Sequence, residues 1–142
     1  MRIRIFRVTA GIVSMYHIGL GLMALLLPID VFVNISGAVL GITPEVDPQF
    51  RLIAMFTAAY VLCFGIMTML LALYPKKFRA LAIPVLCLLG VRLTNKIILF
   101  SAVGDQFDVS TGRNIFAICC IAILFLGLLL TLPKNNDAKL SQ

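Results

Sequence analysis

The 142 residues predict an all-α integral membrane protein: a four-helix bundle, up-down-up-down, with both termini in the cytoplasm. Three observations predict it. Hydrophobic residues make up 61% of the chain and charged residues 13%, where soluble domains carry roughly 25% charged residues. The apolar residues fall into four continuous runs rather than alternating ones, and in lipid only helices or closed barrels satisfy every backbone group. The basic residues gather at the ends of alternate runs, as the positive-inside rule requires. The whole chain reads as one transmembrane domain.

The first span is expected at about residues 6–27. It has no charge after Arg7, and it is too long for a signal-peptide core and lacks a small-residue cleavage site before Pro28. The second, about 52–74, carries no charge at all. At 1.5 Å per residue it reaches about 34 Å, enough to cross a core of roughly 30 Å. The third, about 78–103, is interrupted by Arg92 and Lys96, and Pro84 is expected to kink it or loosen its early turns. The fourth, about 114–132, is again uncharged, with Ser110, Thr111 and Asn114 as candidate caps. Pro28, Pro75 and Pro133 follow three of the runs closely and are expected to end them.

Between the first two spans lies a long loop, residues 28–50, whose apolar middle from Val31 to Leu40 suits a short helix on the outer interface. Asn34, Ile35 and Ser36 match a glycosylation acceptor, a match without meaning in a bacterial protein, the expected setting. Arg2, Arg4 and Arg7, then Lys76, Lys77 and Arg79, then Lys134 and Lys139 in the tail 133–142 mark one side. Asp30, Glu45, Asp47, Asp105 and Asp108 mark the other. The expected location is therefore a bacterial inner membrane, crossed several times, with both ends inside.

The net charge of +6 sits at span ends, so it orients the chain rather than forming a surface for nucleic acid. Cys63, Cys87, Cys119 and Cys120 all lie in apolar runs without metal-ligand spacing, and are expected to be small buried residues. Met15, Met23, Met55, Met67 and Met69 are expected to pack or to face lipid. The chain offers no carboxylate pair within a span, no HExxH and no Ser/His/Asp set. No enzyme activity, metal or cofactor is expected.

Arg92 is the most informative residue, because a charge in mid-membrane costs about 2.5–3.5 kcal/mol on insertion scales. Lys96 follows one turn later on the same helical side, and Asn95 lies between them. Counted by rise per residue, His17 in the first span and Tyr60 and Thr57 in the second fall near the depth of Arg92, and Tyr16 precedes His17. A polar pocket of His17, Tyr60, Arg92, Asn95 and Lys96 is expected, opening outward, with Glu45, Asp47, Asp105 and Asp108 as counter-charges at the rim. Two readings of the cations stand open. In one they snorkel, bond carbonyls or pair with acids to fix packing. In the other they hold an anionic group: a lipid phosphate, a carboxylate or a quinone carbonyl.

Gly11, Ser14, Gly19 and Gly21 in span one, with Ala54, Ala58, Ala59 and Gly65 in span two, predict close packing between these spans. Packing against another protein is the alternative.

The layout resembles a known group. A first span ending LLLPIDVF, a second opening PQFRLIAMFTAAYVLCFGI, a turn YPKKFR and a third span with LLGVRLTNKI follow one another. Over roughly residues 10–105 this is similar to the small four-helix bacterial membrane proteins around the DoxX-like and BphX-like families, on Pro28, Arg51, Gly65 and Arg92. The resemblance implies the fold more than an activity, since many of those proteins have no assigned role. The Arg92 and Lys96 pair and the long outer loop are where this chain departs from the common pattern.

The leading functional expectation is a non-enzymatic accessory, assembly or self-associating subunit of a membrane complex. The alternative is binding or transport of a lipid, quinone or other hydrophobic anion around Arg92. A redox role with quinone stands third.

Overall fold

The structure, a computed structural model, describes residues 1–40, 46–100 and 109–133. Helix α1 spans Arg2–Leu26, α2 Ile29–Leu40, α3 Pro48–Leu73, α4 Ala82–Ile98 after a 3₁₀ turn at Arg79–Leu81, and α5 Thr111–Thr131. No strand occurs among the described residues. Four of these segments are long and apolar enough to cross a membrane: α1, α3, α4 with its 3₁₀ turn, and α5.

The helix ends follow from local chemistry. Leu27 is extended at φ −88°, ψ 149°, and Leu132 lies at φ −51°, ψ 128°; each precedes a proline, whose ring disfavours helical backbone in the residue before it. Tyr74 leaves the helix before Pro75 in the same way. At the starts, the expected boundaries shift. Helix α3 begins at Pro48 rather than near Leu52, because the Asp47 carboxylate accepts from the Phe50 N–H at 2.6 Å and Pro48 occupies the first turn. Helix α5 begins at Thr111 rather than Asn114, capped by the Ser110 hydroxyl, which accepts from Arg113 N–H. Helix α1 takes in Arg2 and Arg4 ahead of its apolar run. Pro84 falls in the first turn of α4, where its missing N–H has no intrahelical partner to lose; the loosening expected there is the 3₁₀ turn just upstream. The apolar middle of the loop is helical as α2, with the Ser36 hydroxyl donating to Phe32 C=O. Residues 101–103 of the expected third span, and the tail from 134, lie outside the described residues.

Helix α1 packs most extensively on α3 and also meets α5; α4 packs on α5, and α3 touches α4 only slightly. The α1/α3 contacts run antiparallel. Gly21 lies against the Leu62 backbone, Gly65 against Ile18, and the Ser14 hydroxyl donates to Gly65 C=O at 2.8 Å. A Cβ on Gly21 would stand 2.8 Å from Leu62 N, and one on Gly65 2.7 Å from Ile18 N, so only glycine permits this approach. Ser14, Gly21, Ala58 and Gly65 are buried, which places the predicted small-residue packing between α1 and α3. Gly11 and Gly19 have open space beside them.

The tight core gathers Phe6, Val13, Leu71, Val85 and Leu128. These belong to the N-terminal halves of α1 and α4 and the C-terminal halves of α3 and α5. At this end Arg7 donates to Leu73 C=O and Arg79 to Pro133 C=O, satisfying carbonyls that the helix ends leave open. Elsewhere the surface is apolar: Ile83 and Phe116 are 71% exposed and Ile123 68%. In water such faces would forgo about 25 cal/mol for each Å² left unburied; in hydrocarbon nothing is forgone. The same solvent accounts for one correction. Cys63, Cys87 and Cys119 are exposed rather than buried, all four cysteines are free, and a thiol is apolar enough for that setting.

Candidate functional site

Away from the tight core the helices part around a cavity of about 470 Å³. It lies between α3 and α4 with α1 at its back. His17, Tyr60, Arg92, Asn95 and Lys96 all line it, so the structure brings the five predicted residues to one place. Its remaining walls are Val61, Phe64, Leu88, Leu89, Val91 and Leu99. Thr57, near the same depth, is exposed and is not among the lining residues.

Helix α1 supplies the anchor. His17 is 7% exposed, and its Nδ1 lies 2.6 Å from Val13 C=O, one turn back. A carbonyl can only accept, so Nδ1 carries the proton and donates. Nε2 is 3.1 Å from an Arg92 Nη. A guanidinium can only donate, so Nε2 is the accepting lone pair. These two bonds together define one neutral tautomer. The ring is wedged edge-on against Phe64, with centroids 4.6 Å apart, and against Tyr16 at 5.0 Å. Tyr16 also receives the Arg92 guanidinium, 5.9 Å from its ring centroid.

Helix α4 supplies the charge. Arg92 and Lys96 stand one turn apart and half-buried, and Asn95 sits at the edge, also facing a groove toward Phe125 of α5. A hydrogen bond to a charged group contributes about 1.5–3 kcal/mol, and a cation–π contact about 0.5–2 kcal/mol. Together they offset part of the insertion penalty of an intramembrane arginine, but both partners are neutral and leave its charge without an anion among the described residues. They employ little of what it offers, because one of its five N–H donors is matched by a described acceptor.

Of the four acids expected as counter-charges, Asp47 is the one among the described residues, and it does not line the cavity. Asp47 caps α3, and Asp30 pairs with Arg51 at 3.3 Å on the surface, the one ion pair among the described residues. Glu45, Asp105 and Asp108 lie outside the described residues. The exposed lining residues, Tyr60 at 74%, Val91, Leu88 and Leu99, run along the flanks of α3 and α4, so among the described residues the cavity is open between these helices.

Sequence reasoning missed two features. The first is Tyr16 as the platform for Arg92, signalled only by its place beside His17. The second is the apolar wall of Phe64, Leu88 and Leu89, which nothing in the pattern separates from ordinary span residues. No family model, no curated protein and no solved structure matches the chain.

Proposed function

We propose that this chain is a non-enzymatic four-helix membrane bundle that binds a hydrophobic anion, such as a lipid or an anionic quinone-like molecule, in the cavity around Arg92. The observation that carries the reading is the convergence of two cations and three further polar side chains, from three helices, in an otherwise apolar cavity. A cation pair needs an anion in a medium where bare charge is expensive, and no described carboxylate supplies it.

The bundle runs up-down-up-down in a bacterial inner membrane, both termini cytoplasmic. The antiparallel contacts of α1 with α3 support the topology, and the alternation of basic and acidic ends supports the orientation. Kinship with the DoxX-like and BphX-like proteins is proposed on Pro28, Arg51, Gly65 and Arg92. The test is chemical: purify the chain in mild detergent, extract it and identify bound molecules by mass spectrometry. A stoichiometric anion lost in Arg92→Gln supports the reading. Protein that retains its fold and its activity in the cell with Arg92→Leu sinks it.

A second reading, an accessory or self-associating subunit, draws on Gly11 and Gly19, which have no atom within 4 Å of where a Cβ would sit. Ser14, Gly21, Ala58 and Gly65 are already used within the chain, so the surface left for a partner is smaller than the sequence promises. Co-purification of a second protein in fixed ratio would favour this reading.

A further inference from the structure

The cavity is chemically polarised along its length. Lys96 and Asn95 belong to the last turn of α4, with Arg92 one turn earlier. Leu88, Leu89 and Phe64 line the other end, toward the tight core. Lys96 is two residues, about 3 Å, from the end of α4 and Arg92 six residues, about 9 Å, at 1.5 Å per residue. Charge therefore lies toward the C-terminal end of α4, bordered by Leu99, and the longer apolar stretch of Leu88, Leu89 and Phe64 lies deeper, the order of head and chain in one leaflet of a bilayer.

The route in is also visible. The α1/α3 seam is closed by backbone approach at Gly21 and Gly65, whereas α4 and α5 leave a groove in which a Cβ on Gly90 would stand 3.5 Å from the Phe125 ring. The α3/α4 seam has the slightest contact of the four neighbouring pairs, and its rim residues Tyr60 and Val91 are 74% and 56% exposed. These helices are long enough to span a membrane, and an exposed apolar seam between two such helices is open to the surrounding hydrocarbon.

We propose that the cavity is loaded sideways from the bilayer, through the α3/α4 seam, by an amphiphile with an anionic head and an acyl chain. This rests on the anion-site reading above. The head, a carboxylate or phosphate, sits against Lys96 and Arg92; the chain runs inward along Phe64 and Leu88. The ligand enters without turning over, since its head and tail already lie in this order in the leaflet. A volume of about 470 Å³ falls within the ordinary range of ligand sites, about 300–1,000 Å³. It seats a head and one chain, so either a free fatty acid or one arm of an anionic phospholipid fits.

Photo-crosslinking in nanodiscs tests this, using a fatty acid with a diazirine beside the carboxylate, one with the diazirine at the chain end, and phosphatidylglycerol with a chain-end diazirine. The head-side probe is expected on Tyr60, Asn95 or Leu99 and the chain-end probes on Phe64 or Leu88. Arg92→Gln with Lys96→Gln is expected to cut labelling at least ten-fold while helicity and elution volume stay unchanged. Lys96→Arg, which keeps the charge, retains labelling and separates charge loss from misfolding. Labelling by the fatty acid alone, or by the phospholipid alone, supports the proposal and names the source. Reversed positions, with the chain end on Asn95, overturn the orientation and leave the anion site standing. Equal labelling by the uncharged alcohol of the same chain length, or no cavity labelling by any probe, overturns the proposal. If no anion co-purifies either, the underlying reading goes with it.

Discussion

Replacing Gly65 with alanine adds one methyl group where α1 and α3 lie closest. Its Cβ would stand 2.7 Å from both Ile18 N and Ile18 Cγ1, and 3.1 Å from His17 C. The isoleucine tip can rotate away, but the two backbone atoms cannot. To restore an ordinary contact of 3.4 Å the helices must part by about 0.7 Å. That displacement stretches the Ser14 bond to Gly65 C=O from 2.8 Å past useful length. Overpacking of this kind costs about 1–3 kcal/mol, and a lost interhelical hydrogen bond in a membrane protein averages about 0.6 kcal/mol. Against them stands the helix propensity gained on going from glycine to alanine, about 0.8–1.0 kcal/mol. The net expectation is destabilisation by about 1–3 kcal/mol. Reversible unfolding in mixed dodecylmaltoside and dodecyl sulfate micelles, followed by circular dichroism, measures it.

Gly11→Ala is the control, because nothing lies within 4 Å of its Cβ position. That variant collects the propensity term alone and should be stabilised by about 0.5–1 kcal/mol. The same chemical change thus carries opposite signs at two sites on neighbouring helices. Gly65→Ala as stable as Gly11→Ala would refute the close approach. Gly21→Ala should resemble Gly65→Ala, and the double variant should cost less than the sum, since helices already parted accommodate the second methyl more easily.

The other expectations are smaller. Ser14→Ala should cost about 0.6 kcal/mol, and not more than about 1.7, in the same micelle titration; no change would mean the hydroxyl bond to Gly65 adds nothing. Asp47→Ala removes the α3 cap and should cost about 1 kcal/mol, while Asp47→Asn, which can still accept from Phe50 N–H, should stay close to the parent. Nitrogen NMR of a histidine-labelled sample should show His17 neutral, protonated at Nδ1; a protonated Nε2 would contradict the geometry assigned to Arg92. Reporter fusions at either terminus should be active only on the cytoplasmic side, and a periplasmic signal from either end would invert the proposed orientation.

The sequence made the spans legible because lipid leaves the chain so little choice. Long uncharged runs bounded by prolines predict the ends of α1, α3 and α5 to within about two residues. The starts were harder. Asp47–Pro48 and Ser110 act through one side-chain bond each, which hydropathy does not register. The polar residues were found by depth, since a charge in hydrocarbon is conspicuous wherever it falls. Depth says nothing of azimuth, however. Thr57 and Tyr60 fall near one depth on α3, and only Tyr60 lines the cavity. The exposed rim along the flank of α3 and α4 is likewise a matter of azimuth that hydropathy does not register. Exposure of the cysteines was hidden for the same reason, as apolar runs look alike on every side.

Packing and site are joined through one stretch of α1. Ser14 and Ile18 meet Gly65, and His17, between them, receives Arg92. His17 accepts from Arg92 only while its ring is held between Phe64 and Tyr16, and Phe64 precedes Gly65 on α3. A shift of α1 against α3 therefore moves the wall and the anchor of the cavity together. The glycine contact is thus a positioning device as well as a stabilising one. Gly65→Ala should weaken anion binding beyond what its loss of stability explains, whereas Asp47→Ala, of similar energy but placed at the far end of α3, should leave binding intact. Titrating both variants with the same anionic amphiphile, at a detergent concentration where each is fully folded, separates the two effects. Equal affinities would mean that the seam and the cavity are independent, and that Arg92 is held by α4 alone.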